Sequence, residues 1–470
     1  MGKGKIKVQA DNIFPIIKKF LYTDQEIFLR ELVSNAVDAT TKLKKLSSLN
    51  KVKGDLGDLK IEIVVNKDDK TISIIDKGIG MSEDEIKQYI NQVAFSGAED
   101  FLKKYQDEND KSGIIGHFGL GFYSAFMVAQ KVQILTKSYV SKEKACQWEC
   151  DGSPEYLIKN IDKKNRGTEI KLFISDDALD YLEENKITTL LNKYCKFLPV
   201  DIKFGTKTRK EKNKKDEEIE IVEDNIINNT RPAWTVSPKE LKPEDYSNFY
   251  KELYPYNFDQ PLFHIHLNVD FPFELTGILY FPKVNPSMDL NRQKIHLYCN
   301  QVYVTESLEG VVPDFLALLQ GVIDSPDIPL NVSRSALQSD SNVKKISAHI
   351  SKKVSSRLHD MFKKDRKDFE DKWKDMNIIV EYGMLSDEKF YDRSQDFALF
   401  QTVDKKFYTI SEFQEIITSN QKDKDGKLIY LYASNIDSQH MYISKAQELG
   451  YQVLILDSPI VSHVIQKLES

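Results

Sequence analysis

The stretch Glu26-Ile27-Phe28-Leu29-Arg30-Glu31-Leu32-Val33-Ser34-Asn35-Ala36-Val37-Asp38 sets three polar side chains along the apolar stripe of a predicted helix. Glu31, Asn35 and Asp38 follow one another at spacings of four and three, so a single helical face carries all three. Ile27, Phe28, Leu32, Val33 and Ala36 supply the surface that such a helix buries, and Thr23 with Glu26 reads as a capping box for its first turn. A carboxylate, an amide and a second carboxylate beside a core face require partners, because an unpaired buried carboxylate is costly enough to shift its pKa. Water, a metal ion or a polar ligand would serve, and a solvated stripe bordering the core is the plainer alternative.

Beyond this helix, Ile61 to Val65 and Thr71 to Ile75 read as two β-branched strands joined by a polar turn. The second runs directly into Asp76-Lys77-Gly78-Ile79-Gly80-Met81. An Asp at a strand end followed by two glycines lets a planar ligand lie against bare backbone while the carboxylate accepts from its amino group. A simple turn is the commoner source of such a pattern. Gly113 to Ser124 is dense in glycine ahead of an apolar run, Ala125 to Ala129, and predicts exposed amides at a helix N-terminus, an anion or phosphate site. Arg166 to Leu172 is a predicted strand whose Thr168 hydroxyl would join a water network under the ligand. No G-x-x-x-x-G-K-[ST] occurs, which removes a P-loop nucleotide site.

Composition bounds the function class. The 470 residues allow about three domains, and an apolar content of 41% is enough for their cores. A formal charge of -6 and a pI near 5.9 argue against nucleic acid as an obligatory partner. No apolar run is long enough to cross a membrane and no signal peptide opens the chain, so a cytoplasmic protein without membrane attachment is expected. Cys146 and Cys150 form a lone C-x-x-x-C without a second pair, and His264 and His266 alternate along one strand with no third ligand nearby, so neither pair is read as a metal site. Residues 1–205 read as a first domain and 206–224, nearly all charged, as a solvated linker or extended hairpin. Residues 225–470 then divide into α/β (225–340), helical and basic (341–376), and α/β again (377–470). Leu428 to Tyr432 and Val453 to Leu456 are the expected buried strands of that last part.

In this order, the four N-terminal elements resemble the ATP-binding fold shared by DNA gyrase, histidine kinases, MutL mismatch-repair proteins and the ninety-kilodalton heat-shock chaperones. The wording EIFLRELVSNAVDA, DKGIGM, GHFGLGFYSAFMVA and GTEIKL is similar to that of the chaperones in their bacterial form. The similarity continues through RPAWTVSPKEL, FYKELYP, GILYFPK, LYCNQVYVTE and GVIDSPDIPLNVSRSALQ. The fold it implies is α/β (α+β), an N-terminal two-layer α/β sandwich that binds ATP followed by a middle domain of two α/β modules joined by helices.

The resemblance also implies roles. Asn35 would hold Mg²⁺, Asp76 would bond the adenine amino group, and Gly78, Gly80 and Met81 would line the base pocket, with Asp38 and Thr168 among the nucleotide contacts. Phe122 would flank the nucleotide, amides around Gly119 and Gly121 would cradle its phosphates, and Glu31 would polarise the attacking water. Arg334, supported by Asn331 and Gln338, would reach the γ-phosphate once a lid, about Val93 to Gly121, closes and the domains dock. Two positions depart from the pattern: Phe95 stands where many relatives carry a basic residue, and Tyr89 where they carry Asn or His. Relatives continue past the sequence ending at Ser470 into a dimerisation domain, so the resemblance implies a homodimer at full length and a monomeric fragment here. The implied activity is that of an ATP-dependent chaperone for unfolded or partly folded clients, with Trp234 and Met288 to Leu290 as candidate client contacts. A gyrase-like or mismatch-repair ATPase acting on DNA, and a nucleotide-sensing module without turnover, are the alternatives.

Overall fold

The computed structural model describes residues 24–92, 95–97, 101, 104, 113–116, 119–212, 218–283, 294–308, 310–330 and 341–469. Two compact units emerge. One comprises the described residues within Met1–Pro232, Tyr298–Val304 and Leu330–Ala336, and the other those within Ala233–Leu297, Thr305–Pro329 and Leu337–Ser470.

The first unit is a helix layer on an eight-stranded sheet. α1 (Ile27–Ser48) buries Phe28, Leu29, Leu32, Val33 and Val37 completely, packing against β1 (Ile61–Asn66), β2 (Thr71–Ile75) and a later 3₁₀ turn. β1 and β2 pair antiparallel, with Ile63 opposite Ile74 and Val65 opposite Ile72, and Ile61, Ile63, Ile72 and Ile74 are buried. α2 (Glu83–Tyr89) opens on a capping box between Ser82 and Glu85, which satisfies two of the orphan amides of its first turn. β3 (Ala129–Lys137), β4 (Ala145–Cys150), β5 (Leu157–Ile161), β6 (Gly167–Ile174), β7 (Ile202–Lys212) and β8 (Glu218–Ile226) complete the order β5-β4-β3-β6-β2-β1-β7-β8. α3 (Glu184–Tyr194) buries Ile187, Leu190 and Leu191 beside α1.

Local chemistry overrides one sequence expectation in this unit and decides between the alternatives of another. Glu26 does not close a capping box; its carboxylate accepts from Lys186 at 3.0 Å and Lys193 at 3.3 Å, and Thr23 lies outside the described residues. The charged stretch 206–224, expected as a solvated linker or an extended hairpin, is, where described, the antiparallel β7–β8 hairpin at the edge of the sheet. Opposite charges face each other across that ladder, Lys203 with Asp224 at 3.1 Å and Lys207 with Glu223 at 3.3 Å, the cross-strand pairing that lets so polar a segment hold strand geometry.

In the remaining chain, α4 (Pro243–Leu253) precedes the hairpin of β9 (Phe263–Val269) and β10 (Leu275–Phe281). With β11 (Ile295–Cys299), β12 (Val302–Thr305) and β13 (Gln320–Asp324) these strands form a sheet ordered β12-β11-β13-β10-β9. α5 (Ser341–Lys364) and α6 (Arg366–Ser386) follow, and Ile346, Ile350, Val354 and Leu358 of α5 are fully buried, as their spacing by four predicts. A last sheet joins β14 (Phe400–Thr402), β15 (Phe407–Tyr408), β16 (Leu431–Ala433) and β17 (Val453–Ile455) in the order β15-β14-β17-β16. Of its two expected strands, the second is buried as expected, whereas Ile429, Tyr430 and Tyr432 of the first are exposed because β16 is a three-residue edge. No helix among the described residues is long and apolar enough to cross a membrane.

Trp234 is not a surface group. Its side chain is 1% exposed, packs on Phe249 and donates through Nε1 to Asp324 Oδ2 at 3.2 Å, so the client-contact reading fails for it. Met288 to Leu290 lie outside the described residues. Trp234→Ala is expected to lower the stability of this unit by about 3–5 kcal/mol, as for other buried aromatic truncations, when followed by urea unfolding; a surface tryptophan would cost almost nothing.

Candidate functional site

A cavity of about 540 Å³ opens beside α1, lined among others by Glu31, Asn35, Asp38, Asp76, Gly80, Met81, Gly119, Gly121, Phe122 and Thr168. The polar face read from the helix spacing and the Asp at the end of β2 thus meet at one hollow.

Asp76 is buried where the strand β2 ends. Its Oδ1 accepts from Gly78 N at 2.8 Å and Thr168 N at 3.3 Å, while its Oδ2 makes no hydrogen bond among the described residues. Burial pushes the carboxyl up to about 7, against the lowering effect of the two amide bonds. The site therefore offers one oriented acceptor to a ligand donor. Next to it runs a short hydroxyl chain: Met81 N donates to Thr136 Oγ1 at 2.9 Å, and Thr136 Oγ1 lies 3.0 Å from Thr168 Oγ1. Thr136 is fully buried and carries no motif, so sequence reading missed it; strand alternation opposite Thr168 is the one signal that points to it.

The glycines of the turn serve the protein before they serve a ligand. A Cβ on Gly78 would fall 2.6 Å from the Ala39 carbonyl carbon of α1, and Gly80, at φ +61°, would drive one into Lys137 O. Only glycine lets the turn nest between α1 and β3; Gly78 stands behind the cavity wall and Gly80 forms part of it.

On the facing side, Glu31 Oε1 accepts from Arg30 Nε at 3.0 Å and Nη2 at 2.8 Å, a buried ion pair that the sequence did not announce. The other oxygen, Oε2, faces Gly121, where an added Cβ would come within 2.7 Å of it. Asp38 is already engaged: Ile115 N and Gly116 N donate to its two oxygens at 2.7 Å each, so it anchors the glycine-rich segment to α1. Asn35 is half-buried and lies near Gly116, with no hydrogen bond to its side chain among the described residues. The helix expected after the glycines is a seven-residue 3₁₀ turn, Gly121–Met127, and β3 begins at Ala129. The N-terminus that faces the cavity is therefore that of a short 3₁₀ turn, with Gly119 and Gly121 in the lining. Arg334, Asn331 and Gln338 lie outside the described residues, as does most of the expected lid. Among the described residues no cluster of three His, Cys, Asp or Glu side chains is arranged to hold a metal.

The sequence matches the family described as Hsp90 protein over residues 205–470, and the one described as Histidine kinase-, DNA gyrase B-, and HSP90-like ATPase over residues 22–177. The chain belongs to the Hsp90 family. It is similar to Chaperone protein HtpG of Bacteroides thetaiotaomicron, at 61% identity over 469 residues covering 100% of this chain and 68% of the relative. The corresponding protein of Porphyromonas gingivalis is 55% identical over 467 residues, 99% of this chain and 67% of the relative. That of Oceanobacillus iheyensis is 32% identical over 485 residues, 100% and 76%. With the family come ATP hydrolysis and chaperone function.

A carboxylate is needed to accept from an adenine amino group, and burial holds Asp76 near half protonation at neutral pH. Adenosine affinity is expected to plateau above pH 7 and to fall by up to about tenfold per pH unit below it. Calorimetry with adenosine, across roughly pH 5.5 to 8.5 where the nucleoside itself does not titrate, reads this directly; a flat profile would show that Asp76 does not meet the base.

Proposed function

We infer that this chain is an ATP-dependent molecular chaperone that hydrolyses ATP in the cavity between α1 and the Asp76 turn, and couples nucleotide state to its hold on unfolded or partly folded proteins. The observation that carries the reading is the meeting of Glu31, Asn35 and Asp76 on one hollow of nucleotide size. Asp76 Oδ2 accepts from the adenine amino group, with Gly80, Met81 and the Thr136–Thr168 hydroxyl pair around the base. Phe122 and the amides of Gly119 and Gly121 stand at the phosphate end.

Glu31 is the general base. Its Oε2 faces the glycine-rich segment while Arg30 holds Oε1, so the carboxylate is oriented before substrate enters. Proton acceptance from an attacking water requires that geometry more than a raised pKa. The donor set fits Mg²⁺: one amide oxygen, Asn35 Oδ1, suits an ion that takes few protein ligands and completes its shell with water and phosphate oxygens. Bound there, the ion would neutralise phosphate charge. Asp38 supports the site indirectly, by keeping Ile115 and Gly116 against α1. Arg334, with Asn331 and Gln338, answers the γ-phosphate as an arginine finger does. The setting is the cytoplasm, and the working assembly is a homodimer.

Glu31→Ala is expected to leave ATP affinity nearly unchanged and to cut steady-state turnover by roughly 10²-fold or more; equal loss of binding and turnover would make Glu31 a structural residue. Arg334→Ala should likewise spare ATP binding while hydrolysis falls, and intact hydrolysis in that variant would return Arg334 to the class of surface ion pairs.

A further inference from the structure

Arg30 and Glu31 are neighbours on α1, and adjacent residues of a helix point about 100° apart, so their pairing needs support from outside the helix. Arg30 bends round to give Nε and Nη2 to one oxygen, Oε1, at 3.0 Å and 2.8 Å, and it is 1% exposed. α3 supplies the support. Its last residue, Tyr194, is buried, and the Arg30 guanidinium carbon stands 5.8 Å from the centre of the Tyr194 ring. Cys195 follows, and burial pushes its thiol up to about 12 against the lowering pull of the Arg30 charge, a mark of how dry this pocket is. Lys193 Nζ also lies over the Tyr194 ring, 4.7 Å from its centre, and Glu26 Oε2 draws that ammonium at 3.3 Å. Two cations therefore share one ring, the buried Arg30 and the exposed Lys193, whose charge Glu26 offsets.

We propose that Tyr194 is a positioning residue for ATP hydrolysis: its ring holds the Arg30 guanidinium on Glu31 Oε1 and thereby leaves Oε2 turned to Gly121. The proposal rests on the reading of Glu31 as the general base. A cation is drawn to the negative face of an aromatic ring, and the attraction grows when water is excluded from both. Arg30 is anchored by that ring on one side and by the carboxylate on the other, so its fork resists sliding across to bridge the two oxygens. A guanidinium spanning both would occupy the lone pairs that accept a proton from water. Nucleotide binding does not call on this support, because neither Arg30 nor Tyr194 lines the cavity.

The test places phenylalanine and its fluorinated analogues at position 194 of the whole chain, since ring fluorination weakens the negative face at nearly constant shape. Tyr194→Phe should keep steady-state turnover within about twofold of wild type. Turnover should then fall stepwise with fluorination, by about three- to tenfold at the pentafluoro ring, the scale of a desolvated cation–ring contact. ATP affinity, measured by calorimetry, should stay within about twofold throughout. Arg30→Lys, which keeps the charge but loses the fork, should lower turnover and make it indifferent to fluorination at position 194. Two results overturn the proposal: turnover that ignores fluorination while Arg30 is intact, or ATP affinity that falls in step with turnover, the mark of a merely structural ring. Wild-type turnover in Glu31→Ala would instead bring down the general-base reading on which the proposal stands.

Discussion

The close approach of α1 to the turn after β2 is the constraint on which the site depends. Ile79 N donates to Ala39 O of α1 at 3.1 Å, and Gly78 has no side chain to keep the two backbones apart. Tyr139 N in turn donates to Ile79 O at 2.7 Å, which fastens the turn to the end of β3. A turn so fixed can hold Asp76 buried at the cavity that the polar face of α1 also lines. Any residue with a Cβ at position 78 would push the helix off the sheet and open the hollow.

Around that contact the protein manages buried charge by giving each group a different partner. Arg30 neutralises Glu31 at one oxygen, backbone amides occupy both oxygens of Asp38, and Asp76 has amides on one oxygen with its proton affinity raised by burial. These are three ways of bearing the cost of a carboxylate out of water. In the proposed mechanism they leave one oxygen of Glu31 for a proton, one oxygen of Asp76 for a donor, and the amide oxygen of Asn35 for a cation. Asp38 is left a tether.

Membership in the Hsp90 family fixes the class of activity, and this chain fills the class in its own way. Tyr89 stacks on Phe95 at the cavity wall, with ring centroids 6.0 Å apart.

Periodicity and motif were sufficient to find α1, the β1–β2 hairpin, the polar face and Asp76, because spacing along one element sets which side chains share a face. The buried fours of α5 were legible for the same reason. What sequence could not supply was the identity of contacts made across elements. The Arg30–Glu31 pair places both partners beside each other in sequence, yet its burial depends on what packs over α1. Thr136 matters only because β3 lies beside β6, Trp234 became core only through Phe249 and Asp324, and the pairing of β7 with β8 chose the hairpin over the linker at the charged edge. Local pattern determined which groups were available, and long-range packing decided which oxygen of each faces the cavity, since that choice is made by neighbours distant in the chain.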